Sequence, residues 1–283
     1  MKRIIGIACL GFTLSVAGFA DGLSLKLTGG AYFMSGGDYN AIIQGRTDLY
    51  HSLSSLSITS DLEKLTLAAN LGFEFIVDIT NNIGIGLGVG FLHATNVGSM
   101  QATYGSESIQ EEFTPLLTSW PFTLNLHVTI PVSEKVNIHL SGGPGVYVST
   151  FHFNRTSMDS ALSLQETLAF DSKTSIDLGF QGTLGLEYGI SDTVFMVAEV
   201  TGRSAVVTGF NGPWSLLGSW VNGVIVDSGN SPVWYDEVQS GANYYPDMAV
   251  KDTAPVASNL RNVRSSRISL GGFGLQVGLK FHL

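Results

Sequence analysis

Apolar and polar residues alternate along most of this chain. In the closing stretch, GLQVGLKFHL, Leu275, Val277, Leu279, Phe281 and Leu283 alternate with Gln276, Gly278, Lys280 and His282. A period of two puts the sets on opposite faces of a strand. Seven earlier stretches share it. GLSLKLTGGAYFM sets Leu23, Leu25, Leu27, Ala31 and Phe33 against Ser24, Lys26 and Thr28. LTLAANLGFEFIVDI sets Leu71, Phe73, Phe75 and Val77 against Asn70 and Glu74, and in IGIGLGVGFL apolar residues alternate with Gly84, Gly86, Gly88 and Gly90. WPFTLNLHVTIPV carries Trp120, Phe122, Leu124 and Leu126 opposite Thr123, Asn125 and His127. VNIHLSGGPGVYV, SIDLGFQGTLGLEYGI and VFMVAEVTGR complete the set, with His139, Glu187, Glu199 and Arg203 on their polar faces. The eighth strand is predicted to start near Ile268, with a bulge or kink at Gly271 and Gly272.

The connections alternate in length. Thr80-Asn81-Asn82, Ser133-Glu134-Lys135 and Ser191-Asp192-Thr193 are short, whereas segments 35–61, 96–117, 154–173 and 205–266 are long and polar. A three-residue hairpin turn keeps opposed positions at the same parity, which sets Val77 against Ile85, Ile130 against Ile138 and Tyr188 against Met196. Each hairpin then keeps one continuous apolar face, as a closed sheet requires. Eight strands of about 10–13 residues, tilted near 45°, cross a hydrocarbon layer of about 25–30 Å.

Composition narrows the class. Only 13% of residues are charged, 34 are glycine, and mean hydropathy is +0.25. Yet beyond residue 20 no apolar run approaches the roughly 18 residues of a spanning helix. The first twenty residues read as a secretory signal peptide: Lys2 and Arg3, an apolar stretch Ile4–Val16, then Gly18 and Ala20 before a cleavage at Asp21. Residues 21–283 form the predicted barrel domain. Cys9 falls within the signal, so the exported chain has no thiol. Without Lys2 and Arg3 it carries 12 basic and 23 acidic residues, and no basic stripe invites nucleic acid. An acidic, exported, cysteine-free chain fits the envelope of a double-membrane bacterium.

A soluble lipocalin-like barrel or β-sandwich turns its apolar face inward. Here the polar face carries Lys26, Glu74, His127, His139, Glu187, Glu199, Arg203 and Lys280, charges that a narrow interior can pair while the apolar face meets lipid. The predicted fold is all-β: an eight-stranded antiparallel up-and-down transmembrane β-barrel with long external loops, placed in the bacterial outer membrane.

At WPFTLNLHVTIPVSEKVNIHLSGGPGVYVSTF the chain resembles the fourth and fifth strands of small outer-membrane barrels of the OmpW and OmpA-like β-barrel group. The matching positions are Pro121, Thr123, Leu124, Gly143, Gly145, Tyr147 and Phe151, with Gly185 and Tyr188 in the hairpin of strands six and seven. The resemblance covers the barrel and not the loops. It implies a porin-like outer-membrane protein and a closing strand, through Leu279, Phe281 and Leu283, similar to the signal read by the barrel-assembly machinery. The group ends in an aromatic, whereas Leu283 stands here.

Candidate chemistry is sparse. With the turn at Ser133–Lys135, His139 lies opposite Thr129, and His127 is its diagonal neighbour on the polar face; no cysteine and no obvious carboxylate joins them, so hydrogen-bonded lumen histidines are expected and no metal. The interior charges form either a fixed plug or a gate whose ion pairs rearrange. Glycines 84, 86, 88 and 90 leave room for side chains or water. Trp120, Phe33 and Tyr188 suit the aromatic girdles of a membrane protein. His93 and His152 sit near the outer rim without a nameable partner; no catalytic residue, enzymatic activity or cofactor is expected. The last long segment holds Trp214, Trp220, Trp234, Tyr235, Tyr244 and Tyr245, a composition suited to partner contact or to a folded cap. Three functions follow: a narrow OmpW-like channel or conduit for small solutes; a surface-exposed adhesin or antigen that meets a host or surface ligand through that segment; or a structural envelope barrel without transport. The expected partners are outer-membrane lipid and the assembly machinery.

Overall fold

The computed structural model describes residues 22–53, 55–59, 61–221 and 223–283; the expected signal peptide lies outside them. Among the described residues there are sixteen strands, twice the predicted number, and one helix. The strands are β1 (Gly22–Met34), β2 (Ser57–Ile58), β3 (Leu67–Thr80), β4 (Ile83–Thr95), β5 (Gly98–Tyr104), β6 (Glu107–Pro131), β7 (Val136–Asp159) and β8 (Leu164–Asp171). They continue as β9 (Ser175–Gly189), β10 (Val194–Thr208), β11 (Asn211–Trp220), β12 (Gly223–Ser240), β13 (Asn243–Val250), β14 (Leu260–Ser265), β15 (Arg267–Ser269) and β16 (Gly272–His282). Helix α1 is Asp38–Ser52.

Eight of the strands close into a ring. β1 pairs with β3, and antiparallel pairing runs on through β4, β6, β7, β9 and β10 to β16, which returns to β1. These eight hold the stretches of strongest alternation. The hairpins keep the parity expected of them, with Val77 opposite Ile85, Ile130 opposite Ile138 and Tyr188 opposite Met196. In the first hairpin an irregularity between Asp78 and Thr80 absorbs one residue. At the seam the strands approach closely: a Cβ on Gly278 would lie 1.8 Å from the Leu27 carbonyl oxygen, and one on Gly30 1.9 Å from that of Leu275. Only glycine permits that spacing. The backbone N–H of Leu283 donates to the Leu23 carbonyl at 2.8 Å, so the last residue is held in the ring.

The ring strands invert their chemistry partway along. On β6, Trp120, Phe122, Leu124 and Leu126 point outward and are exposed, while Ser119, Thr123, Asn125 and His127 point inward and are buried. Beyond Ser119 the inward positions become Leu117 and Phe113, and the outward ones Thr118 and Thr114. β7 behaves alike, with Phe151 and Phe153 inside and Thr150 and His152 outside. Side-chain direction never changes; the identity of the apolar face does.

That inversion explains why the sequence pattern places strand ends too early. β6 and β7 run 25 and 24 residues, well past the predicted rim. β5 and β8 flank their upper halves, β11 adds to β8, and β12 adds to β11. The second half of β12 pairs with β13 and β14. Segments 35–61, 96–117, 154–173 and 205–266 therefore hold regular structure over much of their length. α1 sits in the mouth of the ring, with Tyr39, Ile42 and Ile43 buried and the Tyr39 ring 5.8 Å from that of Phe151.

Candidate functional site

The lumen is filled in two layers. In the lower one, Lys26 and Glu74 stand directly opposite each other on β1 and β3. Lys26 Nζ lies 2.9 Å from Glu74 Oε2 and 2.9 Å from Glu199 Oε1. Asn125 Nδ2 donates to Glu74 Oε1 at 2.6 Å, and His127 Nε2 is 2.9 Å from the same oxygen. Lys280 Nζ donates to Glu187 Oε1 at 3.0 Å. His139 stands between the two groups, 3.6 Å from Glu187 Oε1 and 3.9 Å from Glu199 Oε1, with its ring centroid 5.0 Å from that of His127. The Arg203 guanidinium lies over the rings of Tyr32, at 4.6 Å, and Tyr147, at 5.7 Å.

All eight predicted interior residues point into the lumen, and none is more than 7% exposed. Seven are joined by the contacts above, whereas Arg203 rests on Tyr32 and Tyr147 of the layer over them. Lys26 and Lys280 pair with the three glutamates, and the Arg203 guanidinium above them brings the formal charge to neutrality. Buried charges persist only when paired and hydrogen-bonded, so a filled, neutral layer is what such a lumen requires.

The sequence pattern suggests no carboxylate at the level of the histidines; the structure brings Glu74 and Glu187 to them. Glu74 reaches β6 from β3 by crossing the inward face of β4, which is glycine. A Cβ on Gly86 would lie 2.4 Å from His127 Nε2 and 2.6 Å from Glu74 Oε1; one on Gly88 would lie 2.6 Å from Thr123 Oγ1. The β4 glycines make space for side chains. The signal was the run of glycines itself, legible only once β3 and β6 are known to flank it. A cavity of about 60 Å³ remains among Lys26, Asn70, Thr123, Gln181, Arg203 and Gln276, room for about two waters.

The upper layer is apolar. Tyr32, Leu92, Phe113, Leu117, Tyr147, Phe151, Phe153 and Phe170 form a buried cluster beneath α1. Polar contacts clamp the helix over it. Asp38 receives both terminal nitrogens of Arg264 and the backbone N–H of Arg267. Arg46 lies 2.8 Å from both Glu111 and Asp247; burial opposes its charge, but those carboxylates hold its pKa above the usual arginine range. The Asn40 side chain donates to the carbonyls of Ser35 and Leu65 and accepts from the Leu65 N–H. Arg46, Asn40 and Asp38 were not recognised in the sequence. Tyr39, Ile42, Ile43 and Tyr50 recur at helical spacing, the one available signal.

The six aromatics of the last segment are dispersed. Trp214 is half-buried and donates to Ser231 Oγ at 2.9 Å; Trp234 donates to the Lys251 carbonyl at 2.9 Å. Tyr235 is buried under Arg264, and Tyr244 carries Arg261 at 3.8 Å. Tyr245 stands opposite Val238. Trp220 is exposed at the tip of the β11–β12 hairpin.

Outside, the Phe33 ring lies 5.3 Å from that of Phe273 and the Phe91 ring 4.7 Å from that of Trp120, both pairs tilted, just where the outer face turns polar. Tyr188 is exposed near the opposite end of the ring, and on β16 Leu279 is exposed like Leu283. His93 and His152 project above the aromatics, the first 3.5 Å from Thr118 Oγ1 and the second beside Asp171.

A family model described as an outer membrane protein beta-barrel domain matches residues 29–245, three quarters of the chain. No curated protein matches. The crystal structure of the outer membrane protein OprG from Pseudomonas aeruginosa aligns over 93% of this chain and 97% of its own, at 12% identity and a TM-score of 0.32. That likeness is too weak to bear on function.

Proposed function

For a chain that belongs to the outer membrane protein β-barrel domain family, and so resides in the bacterial outer membrane, we propose that the eight-stranded ring is a sealed anchor presenting a folded external module for surface interaction. The observation that carries this reading is the double closure of the lumen. A solute crossing it must displace the Lys26–Glu74–Glu199 cluster and then the apolar core under α1. Breaking a buried ion pair costs about 3–5 kcal/mol, and both barriers lie in series. The apolar outer band of β6, bounded by Phe91 and Trp120, is the lipid-facing belt of this reading. β5, β8 and β11–β14 then stand outside the cell.

A narrow channel of the OmpW type is the second reading, favoured by the polar cavity of about 60 Å³ beside Lys26 and Arg203. Planar-bilayer recordings of the refolded chain separate the two. The sealed anchor predicts a silent bilayer; reproducible conductance steps, lost in Lys26→Met, support the channel instead.

A further inference from the structure

The external module ends in an open sheet edge. From β6 the upper sheet runs through β7, β8 and β11 to the first half of β12. Residues 223–230 of β12 pair with β11 on one side, and among the described residues no strand pairs with the other. Their backbone is extended over about 26 Å, and every residue of Gly223–Asn230 is exposed. The outward face of this edge sets three exposed apolar side chains among Ser215, Ser219, Ser228 and Asn230. Leu217 opposite Val226 and Ser219 opposite Val224 lie on it, with Leu217 58%, Val224 67% and Val226 75% exposed. The inward face packs Trp214 and Leu216 against the core. Soluble sheets blunt a free edge with charge, proline or a bulge; residues 223–230 hold no lysine, proline or bulge and a single charge, Asp227, and the pairing with β11 is regular to the tip.

We propose that this edge receives an extended strand from another protein, of β-branched and basic composition, which adds to β12 by backbone pairing. The proposal rests on the sealed-anchor reading. Charge selects a basic strand. Segments 35–66, 96–118, 150–174 and 205–271, which make up the module, hold fifteen acidic and eight basic residues, and Asp227 is the sole charge in 211–230. Two copies in the same membrane share the membrane normal, so a closed twofold must lie along it. A strand then crosses its symmetry mate at twice its own inclination to that normal. A ladder forms only for a strand nearly upright or nearly flat on the membrane, whereas a separate chain is free of that condition.

The test uses the full chain refolded into lipid nanodiscs and a fluorescein-labelled eight-residue peptide of alternating valine and lysine. Anisotropy should show saturable binding, weakened at least about tenfold by Val224→Lys/Val226→Lys and by replacing the peptide lysines with glutamate. Should the double variant fail to refold, Val226→Lys carries the same expectation, and Val226→Thr should bind like the parent chain. Equal affinity for parent and lysine variants, or for both peptides, overturns the proposal. Concentration-dependent dimers abolished by the same substitutions overturn it in favour of a second copy. A conducting barrel that binds the peptide defeats the sealed-anchor reading alone; a silent barrel that ignores the peptide defeats the edge alone.

Discussion

The lower and upper lumen are built on the same strands with the same inward parity, yet they are held by opposite physics. Below Ser119 the ring encloses a few discrete charge contacts and turns Trp120, Phe122 and Leu124 outward. Above it the ring encloses Phe113, Leu117, Phe151 and Phe153 and turns Thr114, Thr118 and His152 outward. Each half has its apolar side away from water, and the surroundings change from lipid to water at that level. A polar layer depends on every partner being present, because a lone buried charge is far costlier than none. An apolar layer depends on volume and degrades in proportion to what is removed.

The largest effect should come from breaking the polar layer at its hub. Lys26→Met leaves Glu74 and Glu199 without their shared cation, at a cost of about 3–5 kcal/mol. Urea unfolding of the micelle-refolded barrel, followed by its heat-modifiable gel shift, reads this directly. The triple substitution Lys26→Met/Glu74→Gln/Glu199→Gln should recover most of the loss. A Lys26→Met barrel as stable as the parent would show that water, not protein, satisfies those carboxylates.

The same measurement on the upper layer should give a different kind of answer. Phe151 is buried against Tyr39, Phe153 and Phe210. Phe151→Ala should cost about 3 kcal/mol, since the cavity relaxes only in part, whereas Phe151→Leu should cost under about 1.5 kcal/mol. Alanine variants of its neighbours should add to the loss and never restore it. Rescue by such a second substitution would remove the contrast between the layers.

This contrast also decides what was legible in the sequence. The eight ring strands were readable because the lipid belt fixes one apolar parity from strand to strand, and tight turns such as Ser133–Lys135 carry it across. The interior set Lys26 to Lys280 was readable as the opposite parity. The extensions of β6 and β7 were hidden because Leu117 and Phe151 continue the strand on the parity that had been polar. Helix α1 was hidden by its composition, in which Asp38, Asn40, Gln44, Arg46 and Asp48 surround few apolar residues. The clamp of Arg46 on Glu111 and Asp247 joins positions 65 and 201 residues apart, which no local pattern reports. The contact of Glu74 with His127 needed the strand order and the glycines of β4 together.

The smallest effect lies furthest from the belt, where pH can act on β12. Asn262 and Arg261 hold the Glu237 carboxyl below its usual range. Its contribution to pairing β12 with β14 is therefore present above the unfolded pKa of about 4.3 and lost as pH falls through the folded value. Next to it, Asp236 is pushed up by burial and by Asp247. That contribution has the opposite sign: it is full below the unfolded value and lost as pH rises through the folded one. The two oppose each other, and water screens the half-exposed Arg261, so the parent chain should loosen at β12–β14 by well under about 1 kcal/mol between pH 7 and 4. Glu237→Gln removes one sign and leaves the other. Amide exchange of residues 233–250, corrected for intrinsic rates, should then slow on acidification in the variant, and a profile unchanged from the parent would rule out this opposition.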